Sequence, residues 1–164
     1  MKIRFIINPI SGRGKQKGIE EHITKHLENF EIIHSQKSGD ATRISREAAN
    51  ENIDAVIAVG GDGTVNECLK GLVNTNTALG VIPCGSGNGF AYHIGMERTI
   101  EKAVIQLKNT RIEVIDSCTA NEMPFVNVSG IGFDAHIANL FLTLTERGFV
   151  NYVKLILREL RYKA

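Results

Sequence analysis

A single carboxylate lies among glycines in the segment Gly60-Gly61-Asp62-Gly63-Thr64, directly after an apolar run. Glycines let such a turn fold tightly and point its backbone amides at an anion. Thr64 begins a predicted helix, whose N-terminus favours phosphate oxygens. An acid there would repel phosphate unless it held Mg²⁺ or accepted a proton from an attacking hydroxyl. The segment therefore predicts a phosphoryl-transfer site centred on Asp62, and its strand-turn-helix context argues against a plain hairpin turn.

Two further glycine turns follow apolar runs, at residues 8–15 and 83–89. In the first, Ser11 and Gly12 offer donors to an anion, although an ordinary strand-helix connection also favours serine and glycine. In the third, Gly85, Ser86 and Gly87 offer a second set of phosphate donors, and the alternative is a simple helix cap at Ser86 or Asn88. Neither P-loop nor Rossmann spacing is present.

Short apolar runs alternate with amphipathic stretches over the first hundred residues, which predicts βαβ units and a parallel sheet with helices on both faces. Strands are predicted at residues 3–7, 31–34, 54–59 and 78–82, and helices at 16–30, 40–51, 64–73, 86–93 and 99–108. Ligands bind beyond the carboxyl ends of the strands in such a sheet, and the glycine turns all fall there.

The alternation gives way near residue 116 to two adjacent strands, 111–120 and 123–128, and then to helices at 134–145 and 148–162. We therefore predict an α/β nucleotide-binding domain over residues 1–115 and the beginning of a second domain over 116–164.

Composition excludes several classes of protein. A net charge of +1 argues against a nucleic-acid binder, and three cysteines without C-x-x-C spacing argue against a disulfide frame or a zinc site. The N-terminal apolar run is too short for a signal peptide, and no stretch approaches the length of a spanning helix. We expect a cytoplasmic protein.

The segment from Val59 to Glu67 resembles the signature of the diacylglycerol kinase catalytic domain family of lipid kinases, which includes sphingosine and ceramide kinases. Other matching segments are Asn8-Pro9 with Ser11-Gly12, Gly39-Asp40-Ala41 preceded by Ser35, residues 83–91, and residues 127–138 with Gly130, Gly132 and Asp134. The Gly-Ser-Gly-Asn form of the third turn is similar to the sphingoid-base branch. The resemblance covers essentially the whole chain.

The resemblance implies the fold shared by NAD kinases and diacylglycerol kinases, with ATP and Mg²⁺ as cofactors. It implies transfer of the γ-phosphate to a primary hydroxyl of a lipid, at the inner surface of a membrane, with Asp62 as catalytic residue. Nucleotide binding is expected at Asn8, Pro9, Ser11, Gly12, Ser35, Gly61, Gly63, Thr64, Asn66, Glu67, Gly85, Ser86 and Gly87, and substrate binding at Asn88, Asp134 and His136. Family members continue into a β-sandwich, so this chain is expected to be a fragment that is inactive alone.

Two alternative functions remain open. An NAD kinase shares the Gly-Gly-Asp-Gly-Thr turn, but it normally lacks the Asn66-Glu67 pair found here. A non-catalytic nucleotide-binding module would use the same turns without transferring phosphate.

Two helical patterns lie outside these motifs. His22 and His26 are four residues apart, but without further ligands the pair favours a solvated helix face over a metal site, and no metal ligand is predicted. The last predicted helix has an apolar stripe bordered by basic residues, which suggests a missing partner domain, a membrane surface or self-association into a homo-oligomer.

Overall fold

The computed structural model describes residues 1–14, 16–144 and 149–160. Among these, four strands form one parallel sheet in the order β2-β1-β3-β4. Their bounds are Ile3–Ile7 (β1), Phe30–His34 (β2), Ala55–Gly60 (β3) and Ala78–Pro83 (β4). Every residue of β1 and β3 is buried, because a central parallel strand is covered on both faces and so reads as a continuous apolar run.

Helices connect and cover these strands, with bounds Ile19–His26 (α1), Asp40–Asn50 (α2), Asp62–Leu72 (α3), Gly89–His93 (α4) and Ile100–Gln106 (α5). Helix α2 packs against α3, and α1 packs against α5. Crossovers between parallel strands are right-handed. The connection through α1 runs from β1 outward to β2, whereas the connections through α2 and α3 run in the opposite direction across the sheet, toward β4. Helix α1 therefore covers the sheet face opposite to α2 and α3. The predicted fold class is confirmed.

One charged side chain is buried within the sheet layer. Arg4 on β1 is 3% exposed, and its guanidinium lies 2.7 Å from Glu31 of β2 and 2.5 Å from Glu51 after α2. It also donates to the carbonyl of Ile44 at 3.3 Å. Burial opposes the charge, but the hydrogen bonds to the two carboxylates outweigh it and raise the pKa of Arg4. The pairing thus joins β1, β2 and α2.

The chain divides into two compact units, Met1–Asn127 and Val128–Ala164. The first unit ends with a short antiparallel pair, Cys118–Ala120 (β5) and Met123–Phe125 (β6). The second contains Phe133–Thr143 (α6) and Phe149–Arg158 (α7), which pack against each other. The domain boundary at residue 116 stays a prediction.

Several element ends differ from the prediction. Helix α3 begins at Asp62, two residues before the predicted start at Thr64. Strand β5 begins at Cys118 and not at the predicted residue 111, because only Cys118–Ala120 pairs with β6. The predicted helix ends at residues 145, 148 and 162 lie outside the described residues. Within the described ranges, no helix has both the length and the apolar composition needed to cross a bilayer.

Candidate functional site

The carboxyl ends of the four parallel strands meet at one edge of the sheet. Ile7 of β1 pairs with His34 of β2 and with Val59 of β3, and Gly60 pairs with Pro83 of β4. The turns that leave these strands therefore begin side by side. This proximity is what the sequence predicted for a ligand site of a parallel sheet.

Asn8 links the first turn to the second. Its Oδ1 accepts a hydrogen bond from the backbone amide of Ile10 at 3.0 Å, which fixes the turn locally. Its Nδ2 donates to the hydroxyl of Thr64 at 3.1 Å, and Thr64 lies in the first turn of α3. The chain then forms a 3-10 turn over Ser11–Gly14, in which Gly12 has a φ of 63°. Lys15, which the sequence analysis placed in this turn, lies outside the described residues.

Gln16 holds the first turn from the other side, a role that its sequence context did not predict. Its Nε2 donates to the carbonyl of Asn8 at 3.0 Å and also to that of Pro9. Because this side chain caps the turn, α1 begins at Ile19 and not at the predicted Gln16. A polar residue at the edge of a predicted helix carries no sequence signal that distinguishes these two roles.

The backbones of the second and third turns touch. A Cβ atom placed on Gly85 would lie 2.5 Å from the Cα of Gly61 and 2.8 Å from Oδ1 of Asn88. Real Cβ atoms do not approach backbone this closely, so only glycine at position 85 permits this contact between the turns. The close approach brings two sets of backbone amides to the same place at the sheet edge.

The Asp62 carboxylate joins the same two turns. Its Oδ2 accepts a hydrogen bond from the backbone amide of Asn88 at 2.9 Å, and its Oδ1 accepts one from Phe90 at 3.4 Å. These amides open α4, so Asp62 serves as a cap supplied by a different element. Asp62 remains exposed to solvent. The predicted catalytic acid is therefore both accessible and fixed in orientation.

Asn88 holds the third turn in shape. Its φ of 61° lies in the left-handed region, which asparagine tolerates better than most residues. Its Oδ1 accepts from the amide of Gly85 and its Nδ2 donates to the Gly85 carbonyl, both at 2.8 Å. Nδ2 also lies 3.3 Å from the hydroxyl of Tyr92. The side chain is thus engaged within the turn, and its predicted contact with substrate stays a prediction.

Glu67 on α3 holds the turn after β2 in the same manner. Its carboxylate accepts hydrogen bonds from the hydroxyl of Ser38 at 3.2 Å and from the amide of Gly39 at 3.0 Å. The hydroxyl of Thr42 donates to the Glu67 carbonyl at 2.9 Å. The predicted nucleotide residue Ser35 is buried at the start of this turn and donates its amide to the carbonyl of Ile7 at 2.9 Å. Glu67 therefore ties α3 to the start of α2.

Asp40 completes the turn after β2. Gly39 is the residue that precedes α2, and Asp40 lies in the first helical turn, where the predicted helix also begins. Its carboxylate accepts from the amides of Gln36 at 2.9 Å and Lys37 at 3.1 Å. These two hydrogen bonds stabilise the ionised form and lower the pKa of Asp40 below its ordinary value.

A cavity of about 280 Å³ opens between the first turn and the end of β2. Its lining residues are Ile7, Pro9, Gln16, Lys17, Gly18, Ile19, Glu20 and His34. The Oε1 atom of Gln16 is buried and has no hydrogen-bond partner among the described residues. The cavity thus combines apolar walls with Gln16, whose side-chain oxygen accepts no hydrogen bond from the described residues.

Most of the predicted site residues of the first unit lie in the turns at this sheet edge. Asn8, Thr64, Gly61, Asp62, Gly85 and Asn88 are brought together by the contacts described above, and Ser35 and Glu67 belong to the neighbouring turn. Gly63, Ser86 and Gly87 are exposed at the same sheet edge, and Pro9 is exposed in the first turn. Asn66 lies one position before Glu67 on α3, and its buried Oδ1 has no partner in the described part of the chain.

Two predicted substrate residues, Asp134 and His136, belong to the second unit. Asp134 is exposed in the first turn of α6. His136 Nε2 lies 3.0 Å from a carboxylate oxygen of Glu159, beyond the end of α7. The hydrogen bonds from His136 and from Arg158 lower the pKa of Glu159. His136 thus contributes a contact between α6 and the end of α7, and a role in substrate binding stays a prediction for both residues.

The arrangement suits an anionic ligand with several phosphates. Exposed glycine backbone and the N-termini of α2 and α3 lie at one edge, where amides and helix dipoles favour negative charge. The glycines at positions 61 and 85 have no side chains, so the two backbones come into direct contact there. Asp62 adds a carboxylate oxygen, the kind of ligand that Mg²⁺ prefers. These residues therefore fit a nucleoside triphosphate with its magnesium ion.

The chain is similar to proteins of one family across most of its length. The diacylglycerol kinase catalytic domain family matches residues 2–120. A diacylglycerol kinase of Bacillus subtilis is 38% identical over 141 residues, which cover 80% of this chain and 46% of the relative. A diacylglycerol kinase of Staphylococcus carnosus is 32% identical over 137 residues, which cover 80% of this chain and 45% of the relative.

A crystal structure of a diacylglycerol kinase from Bacillus anthracis superposes with a TM-score of 0.66 at 31% identity. The match covers 77% of this chain and 48% of that chain. The chain thus spans less than half the length of the relatives it matches. From residues 2–120, which carry all three glycine turns, the chain belongs to the diacylglycerol kinase catalytic domain family.

Proposed function

We propose that this chain supplies the nucleotide-binding half of an ATP-dependent lipid kinase, which transfers the γ-phosphate of ATP to a primary hydroxyl of a lipid such as diacylglycerol or a sphingoid base. The observation that carries the proposal is the junction of the second and third glycine turns, where the Gly61 and Gly85 backbones touch and Asp62 is held between them. Membership of a family named for diacylglycerol kinases supports the choice of a lipid over other acceptors.

The three turns share one task in this proposal. Backbone amides near Gly12, Gly61 and Gly85 bind the phosphates, with magnesium neutralising their charge. Because phosphoryl transfer depends mainly on positioning and charge neutralisation, a rigid set of amides is suited to the reaction. The hydrocarbon chains of the lipid remain in the membrane, and only its hydroxyl needs to reach Asp62.

Asp62 is the residue we assign to the proton of the attacking hydroxyl. Its two oxygens are oriented by the amides of Asn88 and Phe90, so a free lone pair keeps a constant direction. A general base must lie within hydrogen-bond reach of the proton it accepts, and a fixed carboxylate meets that requirement without an entropy cost during the reaction.

The same hydrogen bonds give Asp62 a structural role, which an alanine variant cannot separate from catalysis. Asn at position 62 keeps an oxygen that can accept from the Asn88 amide but loses the basic carboxylate. If Asp62 accepts the proton, both Asp62→Asn and Asp62→Ala lower turnover by about 100-fold or more, with a modest change in ATP binding. If it only anchors the third turn, Asp62→Asn retains near-normal turnover, and the catalytic assignment is then wrong.

The function is tested with γ-radiolabelled ATP and three acceptors: extracted membrane lipids, a sphingoid base and NAD. The assay uses the 164-residue chain and a chimaera that adds the remaining half of the Bacillus subtilis relative. Label in a lipid, with none in NAD, is the expected result for the chimaera. Label in NAD would favour the NAD kinase alternative, and ATP binding without any transfer would favour a non-catalytic module.

A further inference from the structure

Two histidines and a glutamate meet on the side of the sheet covered by α1 and α5. His22 and His26 lie one helical turn apart on α1, and Glu101 lies in the first turn of α5. One ligand atom from each residue lies within 4.8 Å of the other two. The third residue comes from a distant part of the sequence, and for that reason the histidine pair alone predicted a solvated helix face.

This cluster is separate from the glycine turns. Helix α1 leaves the carboxyl edge of the sheet after β1 and returns the chain to the amino end of β2. His26 is its last residue, so it lies toward the edge opposite to Asp62. None of the three side chains belongs to the nucleotide site described above.

One ring nitrogen of His26 has no partner among the described residues. This atom, Nε2, is buried. Proteins normally satisfy buried polar nitrogens, because one without a hydrogen-bond partner destabilises the folded state. A cation shared with His22 and Glu101 would satisfy it and would also neutralise the exposed carboxylate.

We propose that His22, His26 and Glu101 form a zinc site that fastens α1 to α5. Two imidazoles and a carboxylate are ligands that Zn²⁺ accepts, and water fills the fourth tetrahedral position. Ligand atoms around tetrahedral zinc lie roughly 3.4 Å apart at bonds of about 2.1 Å. The observed limit of 4.8 Å therefore requires a contraction of up to about 1.4 Å. Rotation of the exposed Glu101 side chain can shorten its distances to the two histidines.

Magnesium provides the internal control for this site. Mg²⁺ prefers oxygen ligands in octahedral geometry, so a set with two imidazoles selects zinc over magnesium. The proposed nucleotide site has the opposite preference, because Asp62 and the phosphates of a bound nucleotide would offer magnesium oxygen ligands. A response to zinc therefore reports on the α1–α5 cluster, and failure of the lipid kinase proposal would leave it unaffected.

The test is calorimetric titration of the untagged chain with ZnCl₂ and, separately, MgCl₂. A polyhistidine tag would bind zinc itself, and the exposed thiol of Cys118 could do so, so the chain carries Cys118→Ser. One zinc ion should bind per chain and raise the melting temperature, whereas magnesium should give neither effect in the absence of nucleotide. Cobalt(II) should bind with the visible absorption of a tetrahedral site.

Ligand and control variants are matched by residue type. His22→Gln, His26→Gln and Glu101→Gln should each weaken zinc binding by about tenfold or more. The controls are His93→Gln and Glu21→Gln, which change exposed residues outside the cluster and should leave binding unchanged. Glu101 is exposed, so Glu101→Gln is expected to fold normally even if a histidine variant does not. Absence of zinc binding to the parent chain, or equal binding by Glu101→Gln, would overturn the proposal.

Discussion

The Asp62 carboxylate accepts a hydrogen bond from the backbone amide of Asn88 at 2.9 Å. The two residues are 26 positions apart in sequence, and the bond joins the second glycine turn to the third. The acid that we propose for phosphoryl transfer is thus also a group that orients the third turn. Variants that keep the hydrogen bond are needed to separate a catalytic role of Asp62 from its structural one.

Removal of this carboxylate should cost stability. Asp62→Ala leaves the amides of Asn88 and Phe90 without their partner, so we expect the free energy of unfolding to fall by about 1 kcal/mol, a modest value because Asp62 is exposed. Asp62→Asn should lose less, since its side-chain oxygen can still accept. Urea denaturation measures both, and equal losses would show that the hydrogen bonds do not matter.

The contact between Gly61 and Gly85 predicts a steric effect. Gly85→Ala would force a Cβ to within 2.5 Å of the Gly61 Cα, and we expect a loss of about 1–3 kcal/mol in the free energy of unfolding. Gly63→Ala is the matched control, because nothing lies within 4 Å of its added Cβ. Since Gly63 lies in α3, alanine there should be neutral or stabilising by up to about 1 kcal/mol. Thermal unfolding of the two variants tests this contrast, and similar stabilities would contradict the close packing.

The pKa of Asp40 predicts a pH dependence of stability. A carboxyl whose folded pKa is lowered stabilises the protein above its unfolded pKa of 3.8, and that stabilisation is lost as pH falls through the folded pKa. Asp40→Asn should therefore be less stable than the parent at pH 7. The difference should shrink as the pH is lowered below 3.8. Denaturant titrations at a series of pH values measure it, and a gap that stays constant with pH would refute the assignment.

The cysteines should differ sharply in reactivity. Burial raises the pKa of the Cys68 thiol from 9.0 to about 11, while Cys118 is exposed and Cys84 is buried. Because the thiolate is the nucleophile, a disulfide reagent at pH 8 should modify Cys118 rapidly and leave Cys68 and Cys84 protected until the chain unfolds. Because the folded pKa is raised, the contribution of the Cys68 thiol to the free energy of unfolding is fully present below pH 9.0 and is lost as the pH rises toward 11. Rapid modification of Cys68 in the folded chain would contradict its burial.

Much of the fold could be predicted from periodicity. The runs that became β1 and β3 are β-branched and continuous, and the turns after them contain the glycines that a strand-to-helix connection requires. The four strands and their helices therefore appeared at nearly their observed positions. The ends of helices were predicted less accurately where a tertiary contact determines them. The Gln16 side chain caps the first turn, so α1 begins after Gln16 and not at it.

The candidate site was predictable only in part. Residue types and the rule for parallel sheets indicated that the turns converge, but the partner of each side chain depends on three-dimensional contacts. Glu67 and Asn88 were predicted as ligand-binding residues, which stays a prediction, and the sequence did not indicate that their side chains hold neighbouring turns in place. Glu101 gave no signal beside His22 and His26, because it lies about 80 residues away in sequence and is brought near only by the packing of α1 against α5.

The central claim is that the backbone amides of three turns bind one triphosphate. It is tested most directly by amide chemical shifts of the isotope-labelled chain during titration with a non-hydrolysable ATP analogue and Mg²⁺. The account predicts saturable shifts concentrated at Gly12, Gly61, Gly63, Gly85 and Gly87, with smaller changes on α1 and α5. No saturable shift at these glycines, or shifts confined to other parts of the chain, would contradict it.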